Sequence, residues 1–263
     1  MKEVTDMNKS NNVALEISDL SVRYHEDWVL KDLHLTLPQG SRVAIVGPNG
    51  AGKSTLFKAS LGLIPRQSGQ IRFLNQPLER VQRQIAYLPQ QAMIDWDFPI
   101  TVKEVVMMGR YPYLGWIKSP NSQDEAICQQ ALETIGLTDY QGRQISQLSG
   151  GQRQRVFIAR AIAQESQLYL MDEPLAGVDK KTEGLIIDFL SDLQAKGITS
   201  VVIHHDLNTL KAYFDYLVLI NQSVIAAGPI DQVLTLDNLT KCQLVPDGGW
   251  QEWCLWTSIP SWL

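Results

Sequence analysis

A chain of 263 residues, 44% of them hydrophobic and 19% charged, is long enough to bury one large core and has an ordinary globular composition. Its formal net charge of −5 argues against nucleic-acid binding, which normally requires a basic surface. The cysteines Cys128, Cys242 and Cys254 are far apart, which disfavours a metal knuckle or a disulfide framework and predicts reduced thiols.

The N-terminal residues are polar and lack the apolar run of a secretory signal, so we expect a flexible leader over residues 1–12. Nowhere does an apolar stretch reach the roughly 18 to 20 residues that cross a bilayer. If the protein serves transport, we therefore expect a separate membrane subunit to supply the path.

The first predicted strands alternate apolar with polar residues, as half-buried strands do. They cover residues 15–18 and 33–37. A turn at residues 38–40 leads to the wholly apolar segment 43–46, which is typical of a strand at the centre of a covered sheet.

A helix is predicted over residues 53–63, and we expect Pro65 to end it because proline cannot donate the next backbone hydrogen bond. Further strands are predicted over residues 70–73 and 84–88. From residue 100 to residue 142 the apolar residues follow helical spacing, which indicates an inserted helical subdomain.

We place this subdomain at about residues 91–148, after which strands and helices alternate again. We predict helices over 149–164 and 181–195, the second ended by Gly197, strands over 168–171, 200–203, 216–220 and 224–226, and a hairpin turn at 221–223. This alternation predicts an α/β fold with a mostly parallel sheet covered by helices.

The segment from Gly47 to Thr55 fits the pattern G-x-x-x-x-G-K-[ST] and lies between a buried strand and a helix, as the pattern requires. In such a loop successive backbone N–H groups point at phosphate oxygens, and the helix start adds its positive dipole end. Lys53 supplies a positive charge, and Ser54 offers a hydroxyl to Mg²⁺. A chance match in a glycine-rich turn is the alternative, which the flanking strand and helix disfavour. The predicted nucleotide-binding residues of this phosphate loop are Gly47, Pro48, Asn49, Gly50, Ala51, Gly52, Lys53, Ser54 and Thr55.

A second motif, Leu148-Ser-Gly-Gly-Gln152, stands at the start of the predicted helix 149–164. A hydroxyl and two glycines at a helix start can form a second anion site, and the alternative is an ordinary helix cap. Shortly afterwards an apolar strand ends in two adjacent carboxylates, Asp172 and Glu173.

With these motifs in this order, the sequence resembles the ATP-binding cassette (ABC) family from about Val13 to Ile230. The resemblance implies one ATPase domain over residues 13–230, with a P-loop NTPase core and an N-terminal antiparallel β subdomain. It also implies ATP and Mg²⁺ as ligands and hydrolysis of ATP by a dimer. In this family each ATP lies between one phosphate loop and the partner's LSGGQ. The chain has one copy of each motif, so it would form a homodimer or pair with a similar chain.

The resemblance assigns roles to single residues. Tyr24 matches the aromatic residue that stacks on adenine, although a tyrosine in a strand is more often a core residue. Gln90 matches the glutamine that reaches Mg²⁺ and the attacking water. Asp172, with Ser54 and Gln90, would hold Mg²⁺, and Glu173 would orient the water or accept its proton.

Further roles concern the partner and the γ-phosphate. Asp179 matches the aspartate that crosses the dimer interface, and His205 matches the histidine that contacts the γ-phosphate. His204 is a rival for the second role, and the following Asp206 favours His205. The nucleotide contacts offered to the partner would be Ser149, Gly150, Gly151, Gln152 and Asp179. The catalytic residues would be Glu173, His205, Lys53 and Gln90.

Two segments resemble the manganese/zinc/iron importer branch of the family, in which an external binding protein delivers the metal. They are Asp-Trp-Asp-Phe-Pro over residues 95–99 and Val-Met-Met-Gly-Arg-Tyr over residues 106–111. The overall similarity is greatest to manganese-importer ATPases. The resemblance therefore implies a subunit that energises manganese import through a membrane permease, peripheral on the cytoplasmic face of the inner or plasma membrane. Zinc, iron and iron-chelate or haem import are the alternatives. We expect the acids Asp95 and Asp97 to be surface or interface residues rather than a metal site.

Functions of another class are a cassette ATPase of DNA repair or of the ribosome, and a non-catalytic binding cassette. Repair members carry long coiled-coil insertions and ribosomal members carry two cassettes, and the sequence has neither feature. The presence of Glu173 and His205 argues against a non-catalytic cassette.

The C-terminal part, residues 231–263, is predicted to be a helix followed by a tryptophan-rich tail. If residues 250–257 were helical, Trp250, Trp253 and Trp256 would share one face. We expect an apolar flap that docks on its own domain, and contact with a membrane or permease is the alternative.

Overall fold

The computed structural model describes residues 12–90, 99–114 and 118–245. The chain divides into a first unit, Met1–Gln82 with Val201–Leu263, and a second unit, Arg83–Ser200. Several predictions lie outside the described residues: the leader over residues 1–11, the acids Asp95 and Asp97, the thiol of Cys254 and the tail with Trp250, Trp253 and Trp256.

An antiparallel sheet lies in the first unit, as predicted for the N-terminal part. Its strands are β1 (Val13–Tyr24), β2 (Asp27–Pro38) and β4 (Ser68–Phe73), and β1 lies between the other two. Both β1 and β2 are much longer than the predicted strands. Asp19 and Asp32 have positive φ angles of 57° and 46°, and the β1–β2 register shifts beside Asp19. Such irregularities break the two-residue alternation from which a strand is predicted.

Parallel pairing in the first unit joins β3 (Arg42–Val46) to β8 (Tyr216–Asn221), with Val46 opposite Leu219. Strand β9 (Ser223–Pro229) returns antiparallel to β8 through the predicted hairpin turn. The valines, alanine and isoleucine of β3 are buried, as expected for a central strand.

Helix α1 spans Lys53–Ser60, so the predicted end at residue 63 and the predicted stop at Pro65 are wrong. The helix is closed by Gly62, which has a φ of 68°. The N–H of Gly62 donates to Ala59 O and that of Leu63 donates to Lys58 O, which satisfies the last carbonyls before proline is reached. The other helices of this unit are short: α2 (Leu78–Val81), α8 (Leu210–Tyr213), α9 (Ile230–Val233) and α10 (Leu236–Lys241).

In the second unit β5 (Ile85–Leu88) and β6 (Leu168–Asp172) pair in parallel, with Leu88 opposite Met171. Its helices are α3 (Val102–Met107), α4 (Tyr111–Leu114), α5 (Ser122–Thr134), α6 (Gly150–Ala163) and α7 (Lys180–Ala195). The predicted helices 149–164 and 181–195 are thus confirmed, and Gly197 follows α7 with a φ of 73°.

Between β5 and α6 the described residues form helices and 3₁₀ turns, with one isolated bridge from Thr101 to Gln144 and no strand. The boundaries 91–148 of a helical subdomain stay a prediction. Strand β7 (Thr199–Ile203) is the segment in which the chain passes from the second unit to the first.

No helix among residues 12–90, 99–114 and 118–245 is long and apolar enough to cross a membrane. Cys128 and Cys242 are buried free thiols. Burial is the main cause that raises the pKa of each to about 11, so both remain protonated at neutral pH.

Candidate active site

The phosphate loop connects β3 to α1 in the first unit, and Lys53 is the first residue of the helix. Its ammonium Nζ donates to Gly47 O over 2.8 Å and to Pro48 O over 2.9 Å. The charge of this buried lysine is therefore held within the loop, where it can attract phosphate oxygens.

The shape of the loop is set by close backbone contacts. A Cβ atom on Gly47 would lie 2.0 Å from Ile220 O, and one on Gly52 would lie 2.5 Å from Leu30 Cδ2. Gln222 N–H donates to Ala51 O over 3.0 Å, so β2 and the β8–β9 turn pack directly beneath the loop. Gly52 is the N-cap of α1 with a φ of 91°, and as a glycine it has no side chain to occupy the N–H groups of the first turn. These N–H groups can bind an anion.

Tyr24 is the last residue of β1 and is 46% exposed. This exposure argues against the alternative of a core tyrosine. A half-exposed ring at a strand end in the same unit as the phosphate loop is able to stack on a planar base.

The two adjacent histidines have different environments. His204 is 4% exposed, its N–H donates to Ile45 O over 3.0 Å, and its Nε2 lies 2.8 Å from Thr209 Oγ1. His205 is exposed. A contact with a phosphate requires an accessible ring, so the structure favours His205 over His204 for that role.

The two carboxylates follow β6 in the second unit, and Gln90 follows β5. Because β5 and β6 are parallel neighbours, their carboxyl ends lie side by side. Gln90 Nε2 donates to Glu173 Oε2 over 2.9 Å. Glu173 has a φ of 52°, and such a left-handed conformation costs free energy in a non-glycine residue. The hydrogen bond from Gln90 thus fixes the orientation of the Glu173 carboxylate, and the unusual backbone conformation sets where the side chain starts.

Asp172 is 2% exposed at the end of β6. Burial and, second, the charge of Asp172 raise the pKa of Tyr87 in β5 to about 12. The carboxylate of Asp172 and the amide oxygen of Gln90 in the second unit are hard oxygen donors, and so is the hydroxyl of Ser54 in the first unit. Each is an oxygen ligand of the kind that Mg²⁺ prefers.

Ser149 is exposed and forms a capping box at the start of α6. Its Oγ accepts a hydrogen bond from Gln152 N over 3.3 Å, and Gln152 Oε1 accepts one from Ser149 N over 2.9 Å. The alternative of a helix cap is therefore correct as a description of the local geometry. The cap also orders the exposed Gly150 and the half-buried Gly151 at the positive end of a 14-residue helix.

Asp179 is the N-cap of α7, and its Oδ1 accepts a hydrogen bond from Thr182 N over 2.8 Å. This backbone hydrogen bond is the main cause that lowers the pKa of Asp179.

Gln154, which the sequence did not single out, is buried in α6, and its Nε2 donates to Pro174 O over 3.1 Å. The hydrogen bond ties α6 to the residue after Glu173. An isolated glutamine in a helical sequence gives no signal for such a contact.

The structure brings together Gln90 and Glu173 with the neighbouring Asp172 in the second unit, which also carries Ser149, Gly150, Gly151, Gln152 and Asp179. The first unit carries Tyr24, the phosphate loop and His205.

Comparison with known proteins identifies relatives of the chain. A sequence model described as ABC transporter matches residues 30–176. The chain is 48% identical over 227 residues to the manganese transport system ATP-binding protein MntB of Bacillus subtilis, covering 86% of this chain and 91% of that protein. It is 47% identical over 222 residues to the zinc transport system ATP-binding protein TroB of Treponema pallidum, covering 84% of each.

The solved structures that resemble this chain are also ABC transporter proteins. A protein described as a metal-chelate type ABC transporter in an inward-facing conformation has a TM-score of 0.77 and 32% identity, covering 89% of this chain and 90% of that chain. An ATP-binding subunit of an ABC transporter has a TM-score of 0.77 and 27% identity, covering 88% of this chain and 99% of that chain.

Proposed function

The chain belongs to the ABC transporter family, and we propose that it is the ATP-hydrolysing subunit that energises manganese import through a separate membrane permease. ATP binding and hydrolysis coupled to transport are the activities of such subunits. The observation that carries the choice of manganese is the 48% identity to a manganese transport ATP-binding protein, which extends over 86% of this chain and 91% of that protein.

Zinc import is the second candidate, because the identity to a zinc transport ATP-binding protein is 47% over a similar length. Among the described residues the structure contains no group of three or more histidine, cysteine and carboxylate side chains that could hold a metal ion. We assign selection of the metal to the permease and to an external metal-binding protein, and the supply of energy to this chain.

For the nucleotide we assign Tyr24 to the adenine and the phosphate loop to the phosphates. Lys53 Nζ donates to Gly47 O and Pro48 O in the structure. When ATP is bound, it would donate a hydrogen bond to the β- and γ-phosphates as well. The N–H groups at the start of α1 would bind the same anion. His205 would donate to the γ-phosphate.

Mg²⁺ would be held by the oxygens of Ser54, Asp172 and Gln90, and when bound it would neutralise charge on the phosphate oxygens. Glu173 would accept a hydrogen bond from the attacking water and orient it in line with the leaving group. Gln90 holds the Glu173 carboxylate through the 2.9 Å hydrogen bond, so the two residues would act as a pair.

For the assembly we propose a dimer with a second copy or with a similar ATPase subunit. In it, Ser149, Gly150, Gly151, Gln152 and Asp179 would contact the nucleotide bound by the opposite chain. The exposure of Ser149, Gly150 and Asp179 supports this assignment. The dimer would bind the permease on the cytoplasmic face of the membrane, and ATP binding and hydrolysis would close and open it.

Metal uptake in cells that lack this subunit tests the proposal. We expect manganese accumulation to fall and to be restored by the wild-type chain, while zinc accumulation stays unchanged. Loss of zinc accumulation with intact manganese uptake would replace manganese by the second candidate. Unchanged uptake of both metals would contradict an import function for either.

A further inference from the structure

The buried member of the histidine pair, His204, belongs to a small hydrogen-bonded network that the proposed reaction does not use. His204 directly follows β7, and its backbone N–H donates to Ile45 O in β3 over 3.0 Å. Strand β3 leads straight into the phosphate loop. The backbone of His204 is therefore fixed to the strand that carries this loop.

The side chain of His204 closes the loop that follows it. Its Nε2 lies 2.8 Å from Thr209 Oγ1, and Thr209 Oγ1 donates to Asp206 O over 3.2 Å. Thr209 Oγ1 is therefore within hydrogen-bonding distance of both the His204 ring and the Asp206 carbonyl oxygen. These two contacts connect His204, Thr209 and Asp206, and they join the two ends of the loop 204–209.

Aromatic contacts fix the orientation of the same ring. The His204 ring centroid lies 5.4 Å from that of Phe214 and 6.5 Å from that of Tyr213. The ring centroid of His205 lies 5.9 Å from that of His204, at an interplanar angle of 34°. A ring packed in this way has few alternative rotamers, and it limits the positions that the exposed His205 ring can take.

We infer that His204 is a positioning residue for His205: it holds the loop 204–209 through Thr209 and supports the ring that would contact the γ-phosphate. This inference rests on the role proposed above for His205. It explains why a second histidine precedes His205 without competing for its role. Pre-orientation of a reacting group contributes to the rate of the chemical step and need not change substrate binding.

The test compares four variants with the wild-type subunit in complex with its permease. His204→Phe keeps an aromatic ring and removes the hydrogen bond, Thr209→Val removes the hydroxyl at constant shape, and Thr209→Ser restores the hydroxyl. The control His34→Phe changes an exposed histidine of the same unit. We expect His204→Phe and Thr209→Val each to lower kcat by about 10-fold with an unchanged Kd for ATP, because misplacement of a catalytic group slows the chemical step.

The rescue and the double variant make the test specific. Thr209→Ser and His34→Phe should keep the wild-type kcat. The double variant His204→Phe/Thr209→Val should be no slower than either single variant, because each substitution alone already breaks the same hydrogen bond. Wild-type kcat in Thr209→Val, or losses that multiply in the double variant, would overturn the inference. The inference would also be overturned if all four variants lost kcat together with an equal loss of thermal stability.

A second readout does not depend on ATP hydrolysis. The chain has 4 histidines, so their ring signals can be followed individually by NMR. Thr209→Val should shift the ring signals of His204 and His205 and leave those of His25 and His34 unchanged. An unshifted His205 signal would contradict the positioning role even if the proposed function holds. Wild-type turnover in Glu173→Gln together with a shifted His205 signal would contradict the catalytic assignment while the positioning role stands.

Discussion

Gln90 and Glu173 are joined by a hydrogen bond of 2.9 Å from the amide Nε2 to the carboxylate Oε2. The two residues are 83 positions apart and meet because each follows one of two neighbouring parallel strands. Glu173 also has a left-handed backbone conformation, with a φ of 52°. Strain of this kind at a carboxylate with a fixed partner is typical of a functional site.

The first prediction concerns the carboxylate itself. Glu173→Gln should keep the Kd for ATP and lower kcat by roughly 10²-fold or more, because an amide cannot accept the proton of the attacking water. The closed dimer should accumulate in the presence of ATP. Phosphate release and size-exclusion chromatography measure the two effects. The exposed acid Glu79, changed to Gln, is the control, and wild-type turnover in Glu173→Gln would reject the assignment.

Lys53→Ala should weaken ATP binding in equilibrium titration. Lys53 supplies charge-assisted hydrogen bonds, and the loss of these to a phosphate weakens binding roughly 10- to 100-fold. Lys58→Ala, in the same helix but outside the loop, is the matched control and should bind ATP as the wild type does. Equal Kd values for the two variants would show that the loop lysine does not bind the phosphates.

Gly47→Ala should destabilise the protein, because the new Cβ would lie 2.0 Å from the backbone oxygen of Ile220. Overpacking of this kind costs about 1–3 kcal/mol in the free energy of unfolding. In the control Gly184→Ala, no heavy atom of the described residues lies within 4 Å of the new Cβ beyond the backbone of its own helix, α7. This variant should gain about 0.5–1 kcal/mol from helix propensity. Urea denaturation measures both changes, and a Gly47→Ala variant as stable as Gly184→Ala would contradict the packing.

Because of Asp179, the free energy of unfolding should depend on pH in the acid range. Its pKa is lowered from 3.8, chiefly by the backbone N–H of Thr182, so its folded value lies below its unfolded value. Its contribution is fully present above pH 3.8 and is lost as the pH falls through the lower, folded value. Asp179→Asn, which still caps the helix, should flatten this part of the pH–stability curve, whereas Asp179→Ala should lower the urea midpoint at neutral pH as well. An unchanged curve for Asp179→Asn would show that the carboxylate does not titrate with folding.

The site residues with local motifs could be predicted from the sequence. A phosphate loop needs glycines, a lysine and a hydroxyl at fixed spacing, so Lys53 and Ser54 are readable without a structure. The sequence favoured His205 over His204 only through the following Asp206. The difference in environment is visible in the structure alone: His204 is buried beside Phe214 and lies within hydrogen-bonding distance of Thr209, whereas His205 is exposed.

The fold class was predictable for a similar reason, because alternating strands and helices favour a parallel sheet. The lengths of β1 and β2 were underestimated, since positive φ angles at Asp19 and Asp32 interrupt the alternation. The end of α1 was misplaced because Gly62 can close a helix earlier than a following proline. The Gln90–Glu173 hydrogen bond depends on strand register, which no local pattern contains.

The most direct test of the proposed function is ATP-driven metal uptake into vesicles that contain the purified subunit and its permease, supplied with the external metal-binding protein. With the wild-type subunit we predict manganese accumulation that requires ATP, and with Glu173→Gln we predict none. Manganese accumulation of equal rate with both proteins, or accumulation of zinc but not manganese, would contradict the proposal that this chain energises manganese import.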